Sequence, residues 1–256
     1  MPTSPAERRA LLFTAGGIPL ALRLPIVREI VPIPPGAAEV EVRGQVVPAV
    51  PLAVAMGLGG GPGRFAVLTE AAPPVALRVD AVHAIVDLKQ TEVFQLPVRT
   101  PLPQPAPFQG AVVAGGVIYL ELALTTAGWV PLEPALDDGI QAAQADFAAG
   151  RELVFERAGT RYAVPISLLL RVVESPHVFP VPLAPAVHRG LLYHERAIFP
   201  VFDLAALYGG GPAPGATLAV LVDAAGTAIA VLADRVAREG DAGEVVRPAW
   251  DALFPT

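Results

Sequence analysis

Residues 11–31 read LLFTAGGIPLALRLPIVREIV and residues 153–173 read LVFERAGTRYAVPISLLLRVV, so one pattern occurs twice in the chain. The two copies align without a gap. Each has an apolar run, a break that contains glycine and a second apolar run that contains proline. This predicts a strand, a tight turn and a strand, followed by a short helix or a third strand. Copies this far apart indicate a duplicated domain rather than a solenoid, whose repeats span about 20–50 residues.

The composition favours short strands over long helices. The 256 residues include 29 prolines and 24 glycines, which interrupt helices and form turns. The net charge is −6 and no run of Lys or Arg stands out, which argues against nucleic-acid binding because phosphate contacts need clustered cations. The chain has no cysteine, so disulfides, thiolate metal sites and a cysteine nucleophile are excluded.

The mean hydropathy is positive, which raises the question of a membrane segment. The longest charge-free stretches, 100–120 and 44–63, are interrupted by prolines and glycines. They are poor bilayer helices, which need about 20 ordered apolar residues, and we expect no membrane insertion. Arg8 and Arg9 before an apolar run resemble the start of a signal peptide. The same pattern recurs at residue 153, where no signal peptide can lie, and this favours a strand.

The match between the copies continues beyond the opening stretch. A hairpin is expected over 40–50 with its turn at Arg43-Gly44, and Glu195-Arg196 stands at the matching turn of copy two. Three further blocks match in the same order: PAVPL (48–52) with PVFDL (200–204), FAVLTEA (65–71) with LAVLVDA (218–224), and VDAV (79–82) with ADRV (233–236). Nothing after residue 236 matches the last expected hairpin of copy one, at 111–122.

We find no set of residues that predicts an enzyme, metal or cofactor site. The glycine runs 59–61 and 209–211 lack the Gly-Lys-Ser/Thr of a phosphate loop, so a helix stop and flexible loop is favoured. Asp80 and Asp234 occupy matching positions without a partner acid or base, and a turn-capping role is favoured over catalysis. The histidines are scattered, and exposed loop or strand positions are favoured over a metal site: His83, His177, His188 and His194.

The ordered motifs resemble one known family. Residues 21–30 read ALRLPIVREI, residues 41–52 read EVRGQVVPAVPL, residues 193–204 read YHERAIFPVFDL, and a closing Gly-containing hairpin is expected at 110–122. This set resembles the CheW-like domain, the adaptor module of bacterial chemotaxis. The resemblance implies an all-β fold of two such domains, each a pair of small SH3-like five-stranded barrels. We place domain 1 at 9–128, a partly helical linker at 129–150, and a divergent domain 2 at 151–256 that lacks the closing hairpin.

The resemblance also implies a function. It predicts a non-enzymatic, cytoplasmic adaptor that links chemoreceptor tips to a CheA-type histidine kinase through protein contacts. The partner-binding residues that it implies surround the two hairpin turns: Val42, Arg43, Gly44 and Val46 in copy one, and Glu195 and Arg196 in copy two. The alternative is a repurposed structural or polarity scaffold. Intact Arg43-Gly44 favours the adaptor, whereas Glu41, Pro51 and the altered second turn depart from the family pattern and favour the scaffold.

Overall fold

The computed structural model describes residues 8–97, 100, 107–124, 151–211, 213–238 and 243–253. The chain divides into two compact units, residues 1–96 with 102–134 and residues 97–101 with 135–256. We call the described parts of these units domain 1 and domain 2. The predicted helical linker at 129–150 lies outside the described residues, and the proposed domain limits stay predictions.

Domain 1 is built from short strands, as the prolines and glycines predict. The opening stretch forms a hairpin, and both expected continuations, a helical turn and a third strand, follow it. In chain order the elements are β1 (Arg9–Ala15), β2 (Ile18–Arg23), a 3₁₀ turn (Leu24–Ile26), β3 (Val27–Pro32), β4 (Glu39–Val42), β5 (Gln45–Pro51), α1 (Leu52–Ala55), β6 (Phe65–Thr69), β7 (Ala76–Val79), β8 (Ala81–Asp87), β9 (Glu92–Phe94), β10 (Phe108–Ala114) and β11 (Val117–Leu122).

Two curled sheets make up domain 1. One has six strands in the order β8-β1-β2-β11-β10-β9, and the other has five in the order β3-β6-β7-β5-β4. The last strand, β11, joins the opening hairpin to β10 and β9, because it runs parallel to β2 with Leu120 opposite Leu20. Strand β1 is almost wholly buried, which confirms the strand interpretation of the apolar run after Arg9.

Domain 2 repeats this arrangement, which confirms the duplication. Its elements are β12 (Glu152–Arg157), β13 (Thr160–Pro165), β14 (Leu169–Glu174), β15 (Val178–Phe179), β16 (His188–His194), β17 (Ala197–Phe202), α2 (Leu204–Leu207), β18 (Leu218–Ala224), β19 (Thr227–Ala233), β20 (Arg235–Val236) and β21 (Val245–Val246). The sheet orders are β20-β12-β13-β21 and β14-β18-β19-β17-β16-β15. The fold class is therefore all-β, as predicted. No helix among the described residues is long and apolar enough to cross a membrane.

The strand count varies around the predicted five. It is five in one sheet, six in two sheets and four in the fourth. The short edge strands β9 and β15 extend the two larger sheets. In the four-stranded sheet, β21 stands where domain 1 has β11, and the described residues contain no counterpart of β10 beyond it.

Residues 243–253, which we call the closing segment, complete the four-stranded sheet of domain 2. Val246 lies opposite Tyr162 in parallel register, the position that Leu120 takes opposite Leu20 in domain 1. Trp250 is 1% exposed and its Nε1–H donates to the carbonyl oxygen of Ala163 at 3.2 Å. Trp250 and Leu253 join the core formed between the two sheets of this domain.

The exposed position expected for His188, which begins β16, is wrong. The residue is buried, its ring meets that of Phe202 edge-on at 5.2 Å between centroids, and neither ring nitrogen has a hydrogen-bond partner among the described residues. Burial lowers the pKa of His188 from 6.5 to about 3, because the imidazolium would lose its hydration. Phe108 has a similar place at the start of β10 in domain 1. The strand register shifts between Phe108 and Gly110 there, as it does between His188 and Gly190 in β16.

We expect domain 2 to lose stability as the pH falls below about 6.5. The unfolded chain binds a proton at His188 near pH 6.5 whereas the folded chain does not until about pH 3. The stability is therefore complete above pH 6.5 and falls by about 1.4 kcal/mol per pH unit below it, or about 2 kcal/mol by pH 5. Denaturant unfolding at pH 7 and pH 5 measures this loss. His188→Phe should remove it, and an equal loss in wild type and variant would assign it to other groups.

Candidate functional site

The turn predicted at Arg43-Gly44 is the tip of the β4–β5 hairpin, and we call these two residues the domain 1 tip. Arg43 has φ +53° and Gly44 has φ +77°, the left-handed pair that a two-residue hairpin turn requires. The Arg43 side chain is 73% exposed. Of the two flanking candidates, Val46 is exposed whereas Val42 lies in the sheet core. Val42 therefore supports the tip from beneath.

An ion pair joins the domain 1 tip to the far edge of its sheet. Arg43 Nη2 lies 3.4 Å from Glu29 Oε2, and Glu29 is on β3. Strands β3 and β4 are the two ends of the five-stranded sheet, so this contact bridges the two edges of the curled sheet. Most of the Arg43 side chain remains in water.

Glu195 and Arg196 form the domain 2 tip, at the turn that matches the domain 1 tip. The tip residue of the ion pair is basic in domain 1 and acidic in domain 2. Glu195 and Arg196 both have positive φ, +47° and +62°, and Arg171 on β14 forms an ion pair with Glu195. Arg171 occupies the position of Glu29 and Glu195 that of Arg43 in the alignment of the copies. His194 lies beside them, with Nε2 3.4 Å from Arg171 Nη1. The two domains therefore present one ion pair with its charges interchanged.

A buried arginine organises the interior of domain 2. Arg157 at the end of β12 donates from Nε and Nη2 to both oxygens of Asp203, at 3.0 and 2.7 Å. Its Nη1 donates to Asp234 Oδ1 at 2.7 Å, and Nη2 also reaches the carbonyl oxygen of Ala213 at 2.7 Å. Arg157 and Asp203 are both almost fully inaccessible. Hydrogen bonds to Asp203 raise the pKa of Arg157, so the guanidinium remains charged.

This centre explains why Asp203 aligns with Pro51. Domain 1 has Ala15 at the position of Arg157 and Pro51 at that of Asp203, so both partners of the buried pair are missing together. Asp203 also accepts a hydrogen bond from the Ala205 backbone N–H and thereby caps α2. Sequence analysis did not single out Arg157. The paired replacement of Arg157 by Ala15 and of Asp203 by Pro51 was the signal that could have found it.

The matching aspartates hold the turns of the opening hairpins, which confirms their predicted turn-capping role. Asp80 accepts from the backbone N–H groups of Gly16 and Gly63 at 2.7 and 3.0 Å. Asp234 accepts from the backbone N–H of Ala158 at 2.7 Å. A Cβ at Gly61 would lie 2.1 Å from Asp80 Oδ1, so this glycine makes room for the carboxylate. It does not end the helix, since α1 already ends at Ala55.

The remaining candidate sites of the described residues do not form a catalytic or metal centre. A hollow of about 450 Å³ in domain 2 is lined by charged residues, but Arg235 pairs with Glu156 there and Arg161 reaches the Glu244 carbonyl oxygen at 3.4 Å. His83 lies edge-on to Tyr119. No three His, Asp or Glu side chains of the described residues are grouped so as to hold a metal ion.

These features define a class: a tandem all-β protein whose two half-barrel pairs present charged hairpin tips. The family model of the CheW-like domain matches residues 9–124 and 152–242. The chain therefore belongs to the CheW-like domain family, the general class of chemotaxis adaptors and scaffolds.

Among solved structures, the chain is similar to the scaffolding protein TtCheW from Thermoanaerobacter tengcongensis. The two are 18% identical with a TM-score of 0.39, over 50% of this chain and 99% of TtCheW. A comparison with curated proteins found no match.

Proposed function

We propose that this protein is a cytoplasmic, non-enzymatic adaptor that links chemoreceptor tips to a CheA-type histidine kinase. The CheW-like family in general couples receptors to this kinase, which supports protein partners of this kind. The observation that carries the proposal is the domain 1 tip, where Arg43 is 73% exposed and forms an ion pair with Glu29. A guanidinium at this tip presents a planar set of donors to a partner carboxylate.

The domain 2 tip is the second proposed contact surface. Glu195 and Arg196 adopt the left-handed backbone that a two-residue hairpin turn requires, and both are exposed at the tip. Two contact surfaces in one chain would raise the local concentration of one partner near the other.

We expect Arg43→Glu to weaken binding to the partner of domain 1 at least tenfold. The substitution reverses the exposed charge and places two carboxylates, at 29 and 43, beside each other. Binding of the purified protein to the regulatory portion of a CheA-type kinase and to a receptor tip of the same organism measures this effect. Arg64→Glu, an equal charge reversal at an exposed residue of the same domain, is the matched control and should bind like wild type.

The double variant Glu29→Arg/Arg43→Glu separates contact from folding. It restores the ion pair in the order found in domain 2, so the tip keeps its place while the charge it presents is reversed. Binding should remain weak if Arg43 touches the partner. Recovery of binding would assign Arg43 a role in holding the tip, and equal binding by all variants would move the surface elsewhere.

A second candidate is a repurposed structural or polarity scaffold. The interchanged ion pair at the domain 2 tip favours it, because this tip presents a carboxylate where the family pattern has arginine. The same experiment decides between the candidates. Saturable binding to neither kinase nor receptor of that organism would reject the adaptor and leave the scaffold.

A further inference from the structure

In each domain an ion pair joins the closing strand to the opening hairpin. In domain 1, Glu121 on β11 accepts from Arg23 Nε and Nη2 at 2.5 and 2.9 Å, and from Gln109 Nε2 at 2.6 Å. Glu121 is only 2% exposed, so these donors stand in for the water that the carboxylate has lost. We call the contact between Arg23 and Glu121 the domain 1 lock.

The closing segment of domain 2 is fastened at the corresponding place. Arg247 follows β21 directly, and its Nε and Nη2 donate to the two oxygens of Glu152 at 3.1 and 3.2 Å. The parallel register puts Arg247 at the position of Glu121, because Val246 takes that of Leu120. We call the contact between Arg247 and Glu152 the domain 2 lock.

The two locks have opposite charge order. In domain 1 the acid is on the closing strand and the base is on the opening hairpin, whereas in domain 2 the base is on the closing segment and the acid is on the hairpin. The hairpin partners also correspond. Arg23 lies opposite Ala10, and Glu152 lies opposite Pro165, which are the same cross-strand pair in the two copies.

An exchange of closing elements between the domains would therefore bring like charges together. Glu121 on the domain 2 hairpin would face Glu152 and lack the Arg23 that neutralises it. Arg247 on the domain 1 hairpin would face Arg23. The tip pairs add a second barrier of the same kind, because a swap of tips would set Arg43 against Arg171 and Glu195 against Glu29.

We propose that the interchanged charges are a specificity code that makes each opening hairpin accept its own closing strand and reject that of the other domain. Two domains of one topology on one chain are exposed to misassembly by strand exchange, both within a chain and between chains. Repulsion in the wrong pairing gives discrimination beyond that of the backbone pairing and the apolar cores. The residues that carry the code are Arg23, Glu121, Glu152 and Arg247.

The lock itself is tested in the full-length protein by hydrogen exchange of residues 243–253. Glu152→Arg and Arg247→Glu each place like charges side by side, and either should speed exchange of the closing segment at least tenfold. The double variant Glu152→Arg/Arg247→Glu restores an ion pair and should return exchange to within about threefold of wild type. Wild-type exchange in both single variants would overturn the lock.

The code is tested by refolding the same proteins from denaturant over a range of concentrations. In the double variant both domains have an acidic closing strand and a basic hairpin, so the code is lost while each lock remains. We expect the yield of correctly folded monomer, measured by size-exclusion chromatography and hydrogen exchange, to fall at least twofold. A wild-type yield at every concentration would overturn the proposal.

Inversion of both locks is the matched control. Adding Arg23→Glu/Glu121→Arg to the double variant gives domain 1 a basic closing strand and leaves domain 2 with an acidic one. The two domains then differ again, and the monomer yield should be restored. Arg23→Glu/Glu121→Arg alone gives both domains the domain 2 order and should lower the yield. If arginine does not fit at buried position 121, shown by unfolding of domain 1 in that variant, the Glu152→Arg/Arg247→Glu result alone decides.

Discussion

Replacement of Arg157 by methionine is expected to lower the free energy of unfolding of domain 2 by about 3–5 kcal/mol. Methionine retains much of the apolar volume of the side chain but leaves Asp203 charged, buried and without its two guanidinium donors. It also releases Asp234 and the carbonyl oxygen of Ala213. The loss is large because the low-dielectric interior penalises a single unpaired charge far more than it rewards a pair.

The measurement is denaturant unfolding of the full chain, with hydrogen exchange of β12 and β17 to assign the transition to domain 2. Arg171→Met is the control, since it also removes an arginine from an ion pair, but one that is exposed to water on both sides. Its expected cost is about 0–1 kcal/mol. Equal effects of the two substitutions would contradict the importance of burial at Arg157.

A double variant identifies the cause of the loss. In Arg157→Met/Asp203→Asn the buried carboxylate becomes neutral, and the amide oxygen can still accept from the N–H of Ala205 at the start of α2. We expect it to be more stable than Arg157→Met alone, because replacing both charges of a buried pair costs less than removing one. A further loss in the double variant would point to packing rather than to the orphaned charge.

The sequence predicted the duplication and the hairpin tips because both depend on local rules. A two-residue turn between strands needs left-handed backbone, which glycine adopts readily, so Gly44 indicates the turn at Arg43-Gly44. Glu195-Arg196 contains no glycine and was found only through alignment with Arg43-Gly44. The all-β class followed from the density of proline and glycine. The role of the two tips in partner binding stays a prediction.

Local rules could not predict the buried contacts of Arg157 in domain 2. The partners of Arg157 lie 46 and 77 residues further along the chain, and only the folded backbone brings the three side chains together. The four locking residues were missed for the same reason, since Arg23 and Glu121 are 98 residues apart and Glu152 and Arg247 are 95 apart. Strand β21 has only two residues, too few for a periodic pattern.

Replacement of Trp250 by alanine should cost about 3–5 kcal/mol of domain 2 stability. The indole is among the largest fully buried side chains and packs in the core between the two sheets with Phe155 and Tyr162. Its Nε1–H is also bonded to the Ala163 carbonyl oxygen on β13. Strand β21 supplies only a two-residue ladder, so burial of Trp250 and Leu253 must hold most of the closing segment in place.

Two comparisons make this prediction specific. Trp250→Phe keeps an aromatic ring in the core but loses the hydrogen bond, and its expected cost is about 1–2 kcal/mol, well below that of alanine. Leu170→Ala removes an exposed apolar side chain of the same domain, and its stability should lie within about 0.5 kcal/mol of wild type.

Hydrogen exchange should show Trp250→Ala losing protection first at residues 243–253 and then along β13. If β13 kept its protection, the closing segment would be an appendage of the sheet. Loss of protection in both β13 and residues 243–253 would make the closing segment a structural part of domain 2, in the place that β11 fills in domain 1.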